Sequence, residues 1–403
     1  MRGVAGRAVV RLSGRQSGTD QSVTGPHSPR QDVARRVGKM KIFSITSAAF
    51  AVIAGAAQAQ SSVQLYGAVD IGVDYANHSG IQNSSVVRVD SGTLYGNRWG
   101  IRGSEDLGDG LKAIFTAESG FALNNGASTQ GGLLFGRQVF FGLQNRLGKL
   151  TIGRQYTLDV DLAPYHANFA SRANNYTGLS HWVDRLADRV NNAVKYQTPN
   201  LNGFTFAGQY GFGGIAGNDA AFRVFNAGGN YSNGPVGLGA TYLRINDANG
   251  NRLTGVAVVD GQYVLGPATV HLAYTDTRGT AANTLCFSTC AARPNQVVRT
   301  FEVGLDYQAT PAAKFYTGGA YTRLNQDLTG NAFQFNLSGF HALSKRTEMY
   351  ALAGYTRTTG LGGFSRVMVG APDLGATAFA SNAQGTPDNG SQLGLRIGMI
   401  HKF

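Results

Sequence analysis

From residue 60 onward, apolar and polar side chains alternate with period two in segment after segment, and a helical period is missing from this region. In VQLYGAVDIGVDY, Val63, Leu65, Val69, Ile71, Val73 and Tyr75 share one face of a strand, against Gln64, Tyr66, Asp70 and Asp74. FTFAGQYGF sets Phe204, Phe206, Tyr210 and Phe212 against Thr205 and Gln209, and FEVGLDY sets Phe301, Val303, Leu305 and Tyr307 against Glu302 and Asp306. The closing SQLGLRIGMIHKF places Leu393, Leu395, Ile397, Met399, His401 and Phe403 on one face and Gly394, Arg396, Gly398, Ile400 and Lys402 on the other. Segments of about ten residues with one polar and one apolar face have the length of a tilted membrane-spanning strand.

Short polar or Gly/Pro-bearing turns recur at Asp106–Gly110, Gln144–Lys149, Thr198–Gly203, Ser232–Pro235, Leu265–Pro267, Ala309–Ala312 and Leu343–Thr347. Seven such turns separate eight hairpins, or sixteen strands, with long loops expected at 156–189, 276–300 and 358–390. A pair of soluble sandwiches would need an apolar interior and a highly charged exterior. Here the polar faces are rich in Gly, Thr, Asn and Gln, and only 14% of the chain is charged. The expected fold is all-β: a 16-stranded antiparallel transmembrane β-barrel, wide enough to hold water, with its apolar face outward and Arg396 inside.

The N-terminus changes the charge picture. Lys39-Met40-Lys41 precedes IFSITSAAFAVIAGAAQA, which ends in Ala57-Gln58-Ala59, the layout of a secretory signal at 40–59 cleaved after Ala59. Residues 1–39, with eight basic residues and no apolar run, read as an upstream extension before a true start at Met40. A disordered basic arm is the alternative. Without residues 1–59, which hold nine basic and two acidic residues, the net charge falls from +12 to +5, and nucleic-acid binding loses its support. Cys286 and Cys290, in a polar loop of an exported chain, are expected to form a local disulfide.

Three stretches, NRWGIRGSEDLGDGLKAIFTAESGF (97–121), LFGRQVFFGLQNRLGKLTIGRQYT (134–157) and RVNNAVKYQTPNLNGFTFAGQYGFG (189–213), resemble the general porins of Gram-negative outer membranes, of betaproteobacterial type. The signal peptide, the mature start and the terminal HKF fit the same family, so the resemblance covers essentially all of 60–403. It implies an outer-membrane homotrimer of sixteen-stranded barrels, passive diffusion of small hydrophilic solutes and ions, and a third loop folded inward as a constriction. It also places Arg98, Arg137 and Arg189 in the family's basic eyelet, and makes Phe403 a signal read by the barrel-assembly machinery, with an interfacial aromatic as the plainer role. The partners it implies are further copies of the chain and the lipids and lipopolysaccharide of the membrane.

Alternation adds its own assignments. With Trp99 and Ile101 outward, Arg98 and Arg102 point into the lumen; with Val190, Val194 and Tyr196 outward, Arg189 and Lys195 do the same. Arg137 is undetermined, because Val139-Phe140-Phe141 is apolar on both faces. Arg154 shares its face with Leu150 and Ile152 and should point outward, to a subunit interface. The third loop, about 157–188, has no acid from Leu162 to Val183 and contains Arg172, while Asp159, Asp161, Asp184 and Asp188 stand at its roots; Arg172 and Asp161 are counted with the eyelet. The one-sided positive field predicts an anion preference. No catalytic residue, metal ligand or cofactor is implied. A substrate-specific channel is the nearer alternative, for which Tyr66 is the one clear lumenal ring in these segments, and a barrel enzyme is the remoter one.

Overall fold

A computed structural model describes residues 61–79, 84–164, 189–279, 296–326, 329–359 and 389–403. The expectations for residues 1–59, for Arg172 and most of the third loop, and for Cys286 and Cys290 lie outside the described residues. The elements run β1 (Ser62–Ser79), β2 (Ser84–Ser91), β3 (Arg98–Gly108), β4 (Leu111–Gly120), β5 (Gln138–Asn145), β6 (Gly148–Tyr156), the short helix α1 (Leu158–Leu162), β7 (Arg189–Gln197), β8 (Phe204–Gly211) and β9 (Val224–Asn233). They continue as β10 (Val236–Asn246), β11 (Arg252–Leu265), β12 (Ala268–Gly279), β13 (Gln296–Gln308), β14 (Ala313–Gln326), β15 (Gly330–Ala342), β16 (Thr347–Thr359) and β17 (Asn389–Lys402).

From β3 onward each strand pairs antiparallel with the next, and β17 returns to β1 from Ala68↔Lys402 to Ala76↔Gly394. Closure leaves no edge strand, the condition for a sheet in hydrocarbon. β2 and β3 lie end to end against β1: Ser91 faces Ile71, and Arg98 faces Ala68. They form one stave interrupted at 92–97, so seventeen segments make a ring of sixteen. All seven expected tight turns close hairpins; the turns after β9 and β11 use Gly234 and Gly266 at φ of +55° and +59°, a backbone region that glycine enters without strain.

Outside and inside are assigned as the alternation requires. Ile397 is 65% exposed on the outer wall, whereas Arg396 beside it is 1% exposed. Arg396 is held there by a network: its Nη1 donates to Asp74 Oδ1 at 2.9 Å, its Nε to the Tyr350 hydroxyl at 2.6 Å and its Nη2 to the Asp90 carbonyl at 3.1 Å. The Tyr350 hydroxyl in turn donates to Asp70 Oδ1 at 2.6 Å. Buried charges persist only when paired in this way.

Two pieces of chain leave the wall and enter the barrel. Asp70 Oδ2 accepts the backbone N–H groups of Leu94 and Tyr95 at 2.7 and 3.0 Å, and Asn97 Oδ1 accepts the Asp70 N–H at 2.6 Å. These bonds draw 92–97 inward, where Leu94 packs on Tyr316, Phe340, Tyr350, Leu352 and Ile400 from the inner faces of β14–β17. On the other side, α1 lies along the inner wall: Leu158 and Leu162 pack on Ala207, Ala163 packs on Leu243, Val256 and Val258, and Asn230 Nδ2 donates to the Leu162 carbonyl at 3.1 Å. Gly239 permits this approach, since a Cβ there would stand 2.5 Å from that carbonyl.

Candidate functional site

Glu118, on the inner face of β4, lies in register with Gly100 on β3 and Gln138 on β5. A Cβ on Gly100 would come within 2.9 Å of the Tyr66 hydroxyl; without one, that hydroxyl donates to Glu118 Oε2 at 3.0 Å. The same carboxylate pairs with two arginines. Arg98 Nε stands 3.7 Å from Oε2, and Arg137 Nε donates to Oε1 at 2.8 Å.

From Arg137 the row continues through a phenol. Arg137 Nη2 donates to the Tyr156 hydroxyl at 2.6 Å, and Arg189 Nη2 approaches that oxygen at 3.3 Å with its guanidinium carbon 4.7 Å from the ring centroid. Arg98 lies 4.3 Å over the Tyr95 ring and donates through Nη1 to the Gly96 carbonyl, so the inward fold of 92–97 braces it. Gly96 also makes room for the row, because a Cβ there would meet Arg137 Nη1 at 2.8 Å. Arg98, Arg137 and Arg189 are thus brought into one row, the first two paired with Glu118 and the last two meeting at the Tyr156 hydroxyl. Guanidinium groups stacked on rings and paired with a carboxylate lose little freedom and keep their charge.

Lys195 and Asp161 meet each other instead of joining the row. Lys195 Nζ donates to Asp161 Oδ2 at 2.6 Å and to the Tyr156 carbonyl at 3.1 Å, and Gln209 Nε2 donates to that carbonyl at 3.0 Å. Their charges cancel, and the bonds fix where the chain leaves β6 for α1. Arg102 lies nearer the short-turn end, donating twice to Gln64 Oε1 and lying 5.1 Å over the Tyr66 ring. It borders a cavity of about 460 Å³ that Arg98, Tyr95, Tyr66 and Lys402 also line.

Alternation does not hold at Val190. Val190 is 3% exposed and faces buried Gln155, not the outside. The β6–β7 register shifts between Gly153 and Gln155, and Asn192 has φ of +49°: an extra residue bulges there and reverses the parity of what precedes it, so Arg189 next to Val190 loses the alternation that pointed it to the lumen and joins the row instead through the Tyr156 hydroxyl, where the chain leaves the wall. Lys195, beyond the bulge, points inward as alternation requires. Arg154 shares the exposed face of Leu150 and Ile152, opposite Val139; its Nε donates to the Gly136 carbonyl at 2.8 Å and its Nη1 bonds Asn191. Phe403 continues the β17–β1 ladder through bonds of 3.0 and 3.1 Å with Gly67, and its ring covers that glycine.

Sequence reasoning missed Glu118, Tyr156 and Tyr95. The signal for Glu118 was present, since Lys112, Thr116 and Glu118 fall on one face of LKAIFTAESG. For Tyr156 it was misleading: alternation with Ile152 and Arg154 sends it outward, yet the chain leaves the wall there and its hydroxyl turns to the arginines. Outside the segments read for alternation, Tyr316, Phe340 and Tyr350 face inward as well, each under 8% exposed.

Known proteins share this architecture. An outer membrane porin protein of Bordetella pertussis is 33% identical over 371 residues, covering 79% of this chain and 94% of that protein. Among solved structures, an anion-selective porin from Comamonas acidovorans superposes with a TM-score of 0.66 at 24% identity, over 85% of this chain and all of that one. The trimer form of OmpT from Vibrio cholerae does so with a TM-score of 0.58 at 17% identity, over 85% and 99%. A profile of the Gram-negative porin family matches residues 46–361. With that match, the extent of the Bordetella likeness and a closed ring of sixteen staves, the chain belongs to the Gram-negative porins of the outer membrane, a family of channels.

Proposed function

We propose that this outer-membrane channel prefers small hydrophilic anions, and that the row Arg98–Arg137–Arg189 sets the preference. The observation that carries the reading is the row itself, three guanidinium groups brought together beside Glu118 and Tyr156. Asp161 adds no negative field, since Lys195 pairs with it, and Leu162 to Val183 holds no acid while contributing Arg172 to the segment 157–188. In this reading that segment is the constriction loop, with α1 as its root. Two unit charges 4 Å apart interact by about 1 kcal/mol in water and about 4 kcal/mol near a protein wall. Charges on outer loops count for less, because salt screens them within about 10 Å. The Comamonas porin, itself anion-selective, supports the same sign. Chemistry on covalent bonds and cofactors have no part in this account.

A substrate-specific channel would present ring faces to the passing solute. Tyr316, Phe340 and Tyr350 face inward, but Leu94 and Ile400 pack over them, which favours sorting by size and charge. Conductance under ion substitution tests the reading. Replacing chloride by a bulky organic anion should lower single-channel conductance far more than replacing potassium by lithium; the reverse ordering would refute it.

The same proposal extends to assembly. The exported chain is cleaved after Ala59, the segment 1–39 is absent from the mature protein, Cys286 and Cys290 are joined, and Phe403 presents the last strand to the barrel-assembly machinery. Three copies associate through the outer face that carries Arg154. Intact-mass measurement of protein from outer membranes checks the first three points, and a mass retaining residues 1–39 or two free thiols would remove them. Native mass in detergent checks the trimer, and loss of membrane insertion on deleting Phe403 checks the last.

A further inference from the structure

The outer wall is not apolar throughout. On β12, β13 and β14, outward positions near the long-loop end carry Arg278, Arg299 and Arg323, and Arg299 lies directly opposite both Asp276 and Arg323. Asp276 holds two of them in place: Arg299 Nε donates to its Oδ2 at 3.1 Å and Arg278 Nη2 to the same oxygen at 3.0 Å. Arg278 and Arg299 remain 53% and 41% exposed, facing away from the lumen.

One pleat closer to the middle of the wall, Tyr274, Phe301 and Tyr321 stand side by side in register, the first two with ring centroids 4.7 Å apart. Beneath them opens an outward groove of about 820 Å³ lined by Leu238, Val259, Gly261, Leu272 and Val303. Gly261 creates it, since a Cβ there would lie 2.9 Å from Leu238 Cδ2. At the short-turn end of β11, β13 and β14 the outward positions are Tyr263, Leu265, Leu305, Tyr307 and Phe315, so the basic residues of this part of the wall sit at one membrane face.

We infer that this patch binds a phosphate-bearing lipid of the outer leaflet, its phosphate on Arg278, Arg299 and Arg323 and an acyl chain in the groove below. Guanidinium forks match phosphate oxygens. The aromatic row marks the depth at which headgroups give way to chains, and the long-loop end of such a barrel faces outside the cell. The order from rim to midplane, arginines, rings, then groove, is the order of phosphate, glycerol or sugar, then chain in a lipid. β13 lies seven staves around the ring from β6, so subunit contact at Arg154 leaves the patch to lipid. The site is separate from the lumen and independent of the selectivity proposed above.

Native mass spectrometry of the purified protein in detergent tests this with three probes: bisphosphorylated lipid A, its fully dephosphorylated form and inorganic phosphate. Saturable binding of the first is expected, with the second weaker by about tenfold or more and the third not retained. The double variant Arg299→Gln/Arg323→Gln should bind lipid A about tenfold more weakly, and Gly261→Leu, which fills the groove, should also bind it more weakly. Both variants should keep wild-type conductance in KCl, which shows that each is folded. Equal binding of the two lipid forms, wild-type affinity in either conducting variant, or inorganic phosphate retained as tightly as lipid A would overturn the inference.

Discussion

Glu118 and Arg137 are joined by a 2.8 Å Nε–Oε1 ion pair in which both side chains are largely buried, and the same carboxylate accepts the Tyr66 hydroxyl. This carboxylate partly offsets the positive row that it orients. Replacing it by an amide of the same shape, Glu118→Gln, removes a negative charge and keeps an oxygen to accept Arg137. The anion-to-cation permeability ratio should rise several-fold, corresponding to about 1 kcal/mol, as measured from reversal potentials. A fall in the ratio would mean that the carboxylate matters chiefly for holding the arginines.

Arg396 ties β17 to β1 and to the inward fold of 92–97 through Asp74, Asp70 and the Asp90 carbonyl. Arg396→Leu leaves the buried Asp70 carboxylate without its cation and Asp74 with only the 3.9 Å contact to Arg88, a loss of about 3–5 kcal/mol. Urea unfolding of the barrel in lipid vesicles should show that loss. Wild-type stability in this variant would show that water reaches Asp70 and Asp74.

Lys195 is 6% exposed at its side chain and Asp161 30%, so the cation is the partner that suffers from isolation. Asp161→Asn should destabilise the barrel toward the lower end of about 3–5 kcal/mol, and the exchange Asp161→Lys/Lys195→Asp should recover most of it. A double-mutant cycle with no coupling between the two sites would contradict an anchoring role for this pair at the start of α1.

Alternation made the wall legible and said little about where the chain leaves it. The outward Ile397 beside the inward Arg396, the tight turns and the inward Arg102 all follow from period two, because lipid and water enforce it along any residue run that stays in the sheet. Alternation assigns nothing to the SGTLYGN stretch. The stretch turns inward because a carboxylate some two dozen residues earlier, on Asp70, captures the Leu94 and Tyr95 N–H groups. Val190 shows the complementary failure: a one-residue bulge at Asn192 reverses parity without any Gly or Pro to announce it. Tyr156 stands at such an exit, and the site is assembled from exits of this kind, with Arg98, Arg137 and Arg189 each at or just before the first residue of a strand.

The central claim is that the sign of the row decides which ions pass, and a zero-current potential across a planar bilayer under a KCl gradient measures that sign. Wild-type protein should give a potential of anion-selective sign. Arg137→Glu, which places a carboxylate beside Glu118 in the middle of the row, should lower or reverse it. A cation-selective potential in the wild type, or an unchanged potential in Arg137→Glu, would contradict the account.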